Sequence, residues 1–181
     1  MNITEDYWID SAKRVPSTHC DERDEGGQIS LLVIHNISLP PNQYGGDAIE
    51  KFFTGKLDPE EHPYFKVIHT MRVSAHCLIK RTGEIVQFVP FDKRAWHAGK
   101  SSFAGVGRCN DYSIGIELEG NDFDGYTEEQ YQALSEVTLQ LMKTFPLITE
   151  DRITGHQYIA PQRKTDPGLS FNWRHYRKRL G

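Results

Sequence analysis

Three side chains in this sequence have the chemistry to share one divalent cation. His35 follows the apolar run LLVI at 31–34, a place where an imidazole is costly unless it has a partner. His156 follows Gly155 at the end of a second short apolar stretch. Asp166 lies ten positions further on, in the segment KTDPG, where Pro167 and Gly168 constrain the backbone. Two imidazoles and one carboxylate give zinc three protein ligands and leave a fourth position for water, as in a catalytic site. No local H-E-x-x-H accompanies them. Spacing alone therefore leaves a second reading open, in which two hydrogen-bonded histidines and a turn aspartate have nothing to do with a metal.

Glu117 is the next candidate. In YSIGIELEG (112–120), Ile114, Ile116 and Leu118 alternate with Gly115, Glu117 and Glu119, so the carboxylates share the face opposite the apolar one. Gly115 beside Glu117 leaves space for a ligand. A carboxylate there can take a proton from an activated water and return it to a leaving amine. The alternative is a solvated glutamate on a half-exposed strand, and Glu119 is the rival on the same face. Lys164, two residues before Asp166, can place an ammonium where an oxyanion develops; otherwise it is a surface lysine. His76 and His97 read as buried, hydrogen-bonded groups or as pocket wall. His62 and His69 lie in or near loops, and His19 and His175 near the ends have no supporting context.

The elements that must carry these residues follow from periodicity and turn chemistry. LLVIHN (31–36) reads as a strand. A short helix over AIEKFFTG is capped by Asp47 and closed by Gly55, and DPEEHPYFK reads as loop. SAHCLIK (74–80) and EIVQFVP (84–90) flank Arg81-Thr82-Gly83 as a hairpin. The polar, Gly-rich segment 95–111 reads as a long surface loop, of the kind that is usually functional. Thr127 and Gln130 form a capping box ahead of the stripe Tyr131, Leu134, Val137, Leu141 and Phe145, and Pro146 ends that helix. RITGH gives a short strand, QYIAPQRKTDPG a loop, and Ser170 a cap for a last helix holding Trp173 and Tyr176. Strands mixed with helices predict one α/β domain over 1–181 with a mixed β-sheet, residues 1–28 being an extended lead-in, with a turn at 21–28, packed on it.

The bulk properties narrow the partners. A formal net charge of −4 over 181 residues argues against nucleic acid or an anionic membrane. The start MNITEDYWID has no basic-then-apolar pattern, so no secretory signal is read there, and LLVI is far too short to span a bilayer. Three widely spaced cysteines, Cys20, Cys77 and Cys109, form neither a disulfide framework nor a cysteine zinc site and suit a reducing compartment. A cytoplasmic, monomeric protein is expected.

Taken in order, LLVIHNISLPP, FFTGKLDP, VSAHCLIKRTGEIVQFVPFDKRAWHAG, RCNDYSIGIELEG, TEEQYQAL and TGHQYIAPQRKTDPG resemble the amidase-2 family of N-acetylmuramoyl-L-alanine amidases. The similarity runs from about residue 12 to 175 and is greatest to its AmpD branch, which processes 1,6-anhydromuropeptides during wall recycling. The resemblance implies zinc held by His35, His156 and Asp166, one ion per chain, with Glu117 as acid and base and Lys164 as the stabilising cation. It implies a mixed sheet flanked by α-helices with the zinc in a surface groove, as in peptidoglycan-recognition proteins. It also implies that Asn36, Arg72, Arg108 and Arg163 meet the sugar and the peptide carboxylates, with Tyr64, Trp96 and His97 at the rim or wall. Arginines suit an acidic muropeptide because a guanidinium pairs with a carboxylate in bidentate fashion. Two other functions stay open: a broad amidase of intact peptidoglycan, and a non-catalytic peptidoglycan-binding sensor on the same fold.

Overall fold

The computed structural model describes residues 1–24 and 27–181. Glu25 and Gly26, inside the turn expected over 21–28, lie outside the described residues. In chain order the elements are β1 (Lys13–Arg14), β2 (Cys20–Asp21), β3 (Leu31–Ile37), α1 (Ala48–Phe53), α2 (Pro63–Ile68), β4 (Cys77–Ile79) and β5 (Ile85–Gln87). They continue with β6 (Arg94–Ala95), β7 (Ser102–Phe103), β8 (Val106–Gly107), β9 (Ser113–Glu119), α3 (Glu128–Thr144), β10 (Ile153–Gly155), α4 (His156–Ile159) and α5 (Trp173–Arg177). Six strands form one sheet in the order β1-β5-β4-β9-β3-β10, while β2 pairs with β6 and β7 with β8. Only the β4–β5 hairpin runs antiparallel in the main sheet, so the sheet is mixed, as its alternating hydrophobic pattern and single hairpin signal imply.

The central pair, β3 and β9, sets the register for the site. Leu31 to Ile37 pair in parallel with Ser113 to Glu119, so Val33 faces Gly115 and His35 faces Glu117. Side chains alternate across the sheet. Leu32, Ile34, Ile114, Ile116 and Leu118 therefore share one face, where they pack in a single cluster with Tyr131, Leu134, Val137 and Leu141 of α3. Each such Leu or Val contributes roughly 1.5–3 kcal/mol by leaving water. The opposite face carries Leu31, Val33 and His35 beside Ser113, Gly115 and Glu117. Phe52, Phe53, Phe65 and Ile68 of α1 and α2 cover one part of it with Leu78. Ala98, Cys109 and Ile159 cover another with Leu31 and Val33. All seven residues of β9 are buried, so its polar face is not the solvated surface that simple alternation suggests. Helices and loops on both faces make β9 an inner strand of a covered parallel sheet.

Several local readings change. Segment 58–66 is not all loop: α2 begins at Pro63, with His62 Nδ1 accepting from Tyr64 N at 3.1 Å, a cap followed by a proline at the first helical position. Asp47 precedes α1 but makes no capping bond, its carboxylate pairing with Lys51 at 3.1 Å instead. The first part of 157–168 is the short helix α4. Asn172, not Ser170, caps α5 by accepting from His175 N at 2.9 Å. The 95–111 segment contains the β7–β8 hairpin. The capping box at Thr127 and Gln130 is present with both of its bonds.

Candidate metal centre

His35 points from β3 into the face that also holds Glu117, and it is 1% exposed. His156 is the first residue of α4, placed there because β10 lies parallel to β3 and ends beside it. Asp166 reaches the same point from the following loop. That loop is tied down by Gln157 N–H to Asp166 O at 2.8 Å and Tyr126 Oη–H to Pro167 O at 2.7 Å. The residues that sequence reasoning selected thus converge. His35 Nδ1, His156 Nδ1 and Asp166 Oδ2 are each 3.0 Å from the other two. Among the described residues they form a group able to hold a metal ion.

The chemistry of this donor set fits zinc. A point just off the plane of so small a triangle lies within the ~2.0–2.2 Å reach of zinc from all three atoms. His156 Nε2 stands 3.0 Å from the carbonyl of Ala98, which can only accept. His156 therefore carries its ring proton on Nε2 and turns the lone pair of Nδ1 toward the other two donors. Electron-rich atoms this close repel one another unless a cation or proton lies between them. All three donors meet at one point, an arrangement compatible with a bound metal ion.

The electrostatics point the same way. Burial lowers the pKa of His35 to about 4, outweighing the pull of Asp166 toward the charged form. Burial alone would raise Asp166, but its two histidine neighbours, His156 foremost, hold its carboxyl well below the usual carboxylate range. Glu117 is pushed well above its ordinary value by burial and then by the charge of Asp166, which Lys164 partly offsets. Glu117 is 9% exposed, and its Oε2 has no hydrogen-bond partner among the described residues. An orphaned buried carboxylate oxygen beside three convergent donors is the mark of a group waiting for a ligand.

A groove of about 360 Å³ opens over these residues. Asn36, Tyr64, Trp96, His97 and Lys164 line it with the three donors and Glu117. Phe52, Phe53, Ile68 and Met71 add an apolar side that sequence reasoning missed: the first two read only as part of a short helix, and the last two are given no role. The three arginines do not line this groove. Arg72 sits at its rim, over the Trp96 ring at 5.9 Å. Arg108 pairs with Asp111 at 2.7 Å. Arg163 donates to the carbonyls of Ala98 and Lys100 at 2.6 and 2.9 Å and lines a neighbouring cleft with Asn121, Asp122 and Lys164.

The rival groups are accounted for. Glu119 Oε1 and Oε2 accept from Gly45 N and Arg81 N at 2.6 and 3.0 Å, so it anchors two loops. His76 accepts from Gly115 N at 3.0 Å and faces the carbonyl of Lys93 at 3.1 Å, a buried structural histidine. His19 is buried rather than contextless, stacking on Trp96 with ring centroids 6.2 Å apart. Gly115 does not leave a void for a ligand: the ring of His97 fills the space.

Residues 25–169 match the N-acetylmuramoyl-L-alanine amidase family, Amidase_2. The chain is 58% identical over 175 residues to the 1,6-anhydro-N-acetylmuramyl-L-alanine amidase AmpD of Citrobacter freundii, covering 97% of this chain and 93% of that protein. It superposes on a crystal structure of a selenomethionine AmpD derivative with a TM-score of 0.95 and 57% identity, over 98% of both chains. It also resembles the amidase AmiD of E. coli in complex with the substrate anhydro-N-acetylmuramic acid-L-Ala-D-gamma-Glu-L-Lys. There the TM-score is 0.63 and the identity 27%, over 87% of this chain and 60% of the other.

Proposed function

We propose, from the premise that the chain belongs to the N-acetylmuramoyl-L-alanine amidase family, that it is a zinc-dependent hydrolase of the lactyl–L-alanine amide in 1,6-anhydro-N-acetylmuramyl peptides. The observation that carries this reading is the triangle of His35, His156 and Asp166 with the orphaned Glu117 oxygen beside it. Those three residues would hold one ion per chain. Bound there, zinc lowers the pKa of a water to about 7 and polarises the amide carbonyl.

The chain's own groups supply the rest. Glu117 takes the proton of the attacking water and returns it to the alanine nitrogen as the amide breaks, help worth about 10²–10⁴-fold in rate. Its upward shift makes it a stronger base than an exposed glutamate. Lys164, at the mouth of the same groove, faces the oxyanion of the tetrahedral intermediate and stabilises it. No covalent enzyme intermediate is needed. Tyr64 and Trp96 offer stacking surface for the sugar, and Arg72 a rim cation for a peptide carboxylate, while Asn36 borders the groove with its amide donating to Asp122 Oδ1 at 3.0 Å. Arg108 and Arg163 lie outside the groove, and Asp111 and the Ala98 and Lys100 carbonyls compete with substrate for their guanidinium donors. Three free cysteines support the cytoplasm, and no helix among the described residues is long and apolar enough to cross a membrane.

Mass spectrometry of the products from anhydromuramyl-tripeptide tests this reading. Release of free tripeptide that a chelator abolishes and added zinc restores is the expected result. Release that is insensitive to the chelator overturns zinc dependence, and absence of release overturns the amidase reading.

A further inference from the structure

We propose that His97, though it lines the groove, is a positioning residue that acts through His35 and not a polar contact to substrate; this rests on the zinc reading above. His97 Nδ1 lies 2.9 Å from His35 Nε2, the ring nitrogen turned away from the donor triangle. Its own Nε2 lies 3.1 Å from Ser113 Oγ. With His35 ligating through Nδ1, the His35 Nε2–H donates to His97 Nδ1, and His97 passes its Nε2–H to Ser113 Oγ. A ligating imidazole depends on such an acceptor at its outer nitrogen, which fixes both tautomer and ring orientation.

The place of this ring is built into the fold. Gly115 sits on the site face of β9, and a Cβ there would stand 2.3 Å from His97 Cγ, so only glycine admits the ring. The backbone is held as well: His97 N–H and Ala98 N–H both donate to Asn110 Oδ1, at 3.2 and 2.8 Å. The carbonyl of Ala98 then accepts from His156 Nε2. One dipeptide thus orients both imidazoles, the first through its side chain and the second through its backbone. Both ring nitrogens of His97 are engaged inside the protein, which leaves it no polar atom for substrate.

The test compares wild type, His97→Phe, His97→Asn and Ser113→Ala by zinc titration against a competing chelator, with steady-state kinetics on anhydromuramyl-tripeptide at saturating zinc. His97→Phe is expected to weaken zinc binding about 10–100-fold and to lower kcat with KM little changed. His97→Asn, whose Oδ1 restores an acceptor near the Nδ1 position, is expected to recover most of the affinity. Ser113→Ala, which removes only the distal acceptor, should weaken zinc binding in the same direction by less, and it decides the matter if His97→Phe does not fold. Unchanged zinc affinity with a raised KM overturns the proposal, as does equal loss in the Phe and Asn variants. A wild type that takes up no zinc sinks the metal reading itself, and this inference with it.

Discussion

On the proposed zinc reading, ion retention depends on three donors acting together. Asp166 is held as a carboxylate by the two histidines and His35 is held neutral by burial, so these two donors are deprotonated before any ion arrives. Asp166→Ala leaves two imidazoles and no charge to balance the cation. It is expected to lose zinc and turnover together, as measured by elemental analysis and product release on the same sample; full occupancy with normal turnover would remove Asp166 from the ligand set. Glu117→Gln separates the roles. The amide keeps the shape beside His35 but accepts no proton, so zinc stays bound while kcat falls by about 10²–10⁴. A near-normal kcat would assign the base elsewhere. His35 and Glu117 were legible because polar groups are costly in buried strands, whereas Asp166 alone reads as an ordinary turn aspartate and is singled out through the ordered motifs that resemble the family. The environment of Gly115 was not: a missing Cβ announces a close approach without saying that the neighbour is His97, eighteen residues away along a loop.

At the scale of elements, α3 is fixed by one glutamine. Gln130 closes the capping box with Thr127, and its side-chain amide also donates to Ile79 O at 3.2 Å and Glu119 O at 2.9 Å, at the ends of β4 and β9. The residue is fully buried. Gln130→Ala removes the cap partner and leaves two buried carbonyls without their donor, each orphan costing about 1–3 kcal/mol. A loss of about 2–4 kcal/mol in urea unfolding is expected, against a few tenths for the exposed Gln132→Ala on the same helix. Equal effects of the two would show that the bridge is worth nothing. The capping box and its apolar stripe were readable because both are local patterns. What escaped was non-local. Helix α2 was hidden by its prolines and acids, and its start depends on a histidine serving as cap. The burial of β9 on both faces depends on α1, α2 and the 98–109 loop, which alternation within YSIGIELEG does not encode.

The fold buries His35, His76 and His97 and disfavours their charged forms, and that makes its stability depend on pH with a definite sign. Burial lowers His76 to about 3, a nearby Arg23 adding to the effect; His35 is lowered to about 4, and His97 lies well below its ordinary value, mainly through burial. Where a folded-state pKa lies below the unfolded value near 6.5, the unfolded chain binds more protons across the gap. The stability these groups confer is complete above pH 6.5 and is lost as the pH falls from there toward 3–4. His76 alone is worth about 2 kcal/mol between pH 7.5 and pH 5 by this linkage. Asp166 does not enter this window, because a lowered carboxyl loses its contribution only below the unfolded carboxylate value near 4. Glu117 acts in the opposite sense. Its raised pKa means that the ionised form burdens the fold, a burden relieved as the pH falls through the folded value. Denaturant unfolding of the metal-free protein at pH 7.5 and pH 5 should therefore show lower stability at pH 5. Glu117→Gln, which removes the opposing group, should be more stable than wild type at pH 7.5 and fall more steeply. Profiles of equal slope would mean that its surroundings do not raise Glu117, and stability that rises on acidification in both would mean that the buried imidazoles are not the groups that set it.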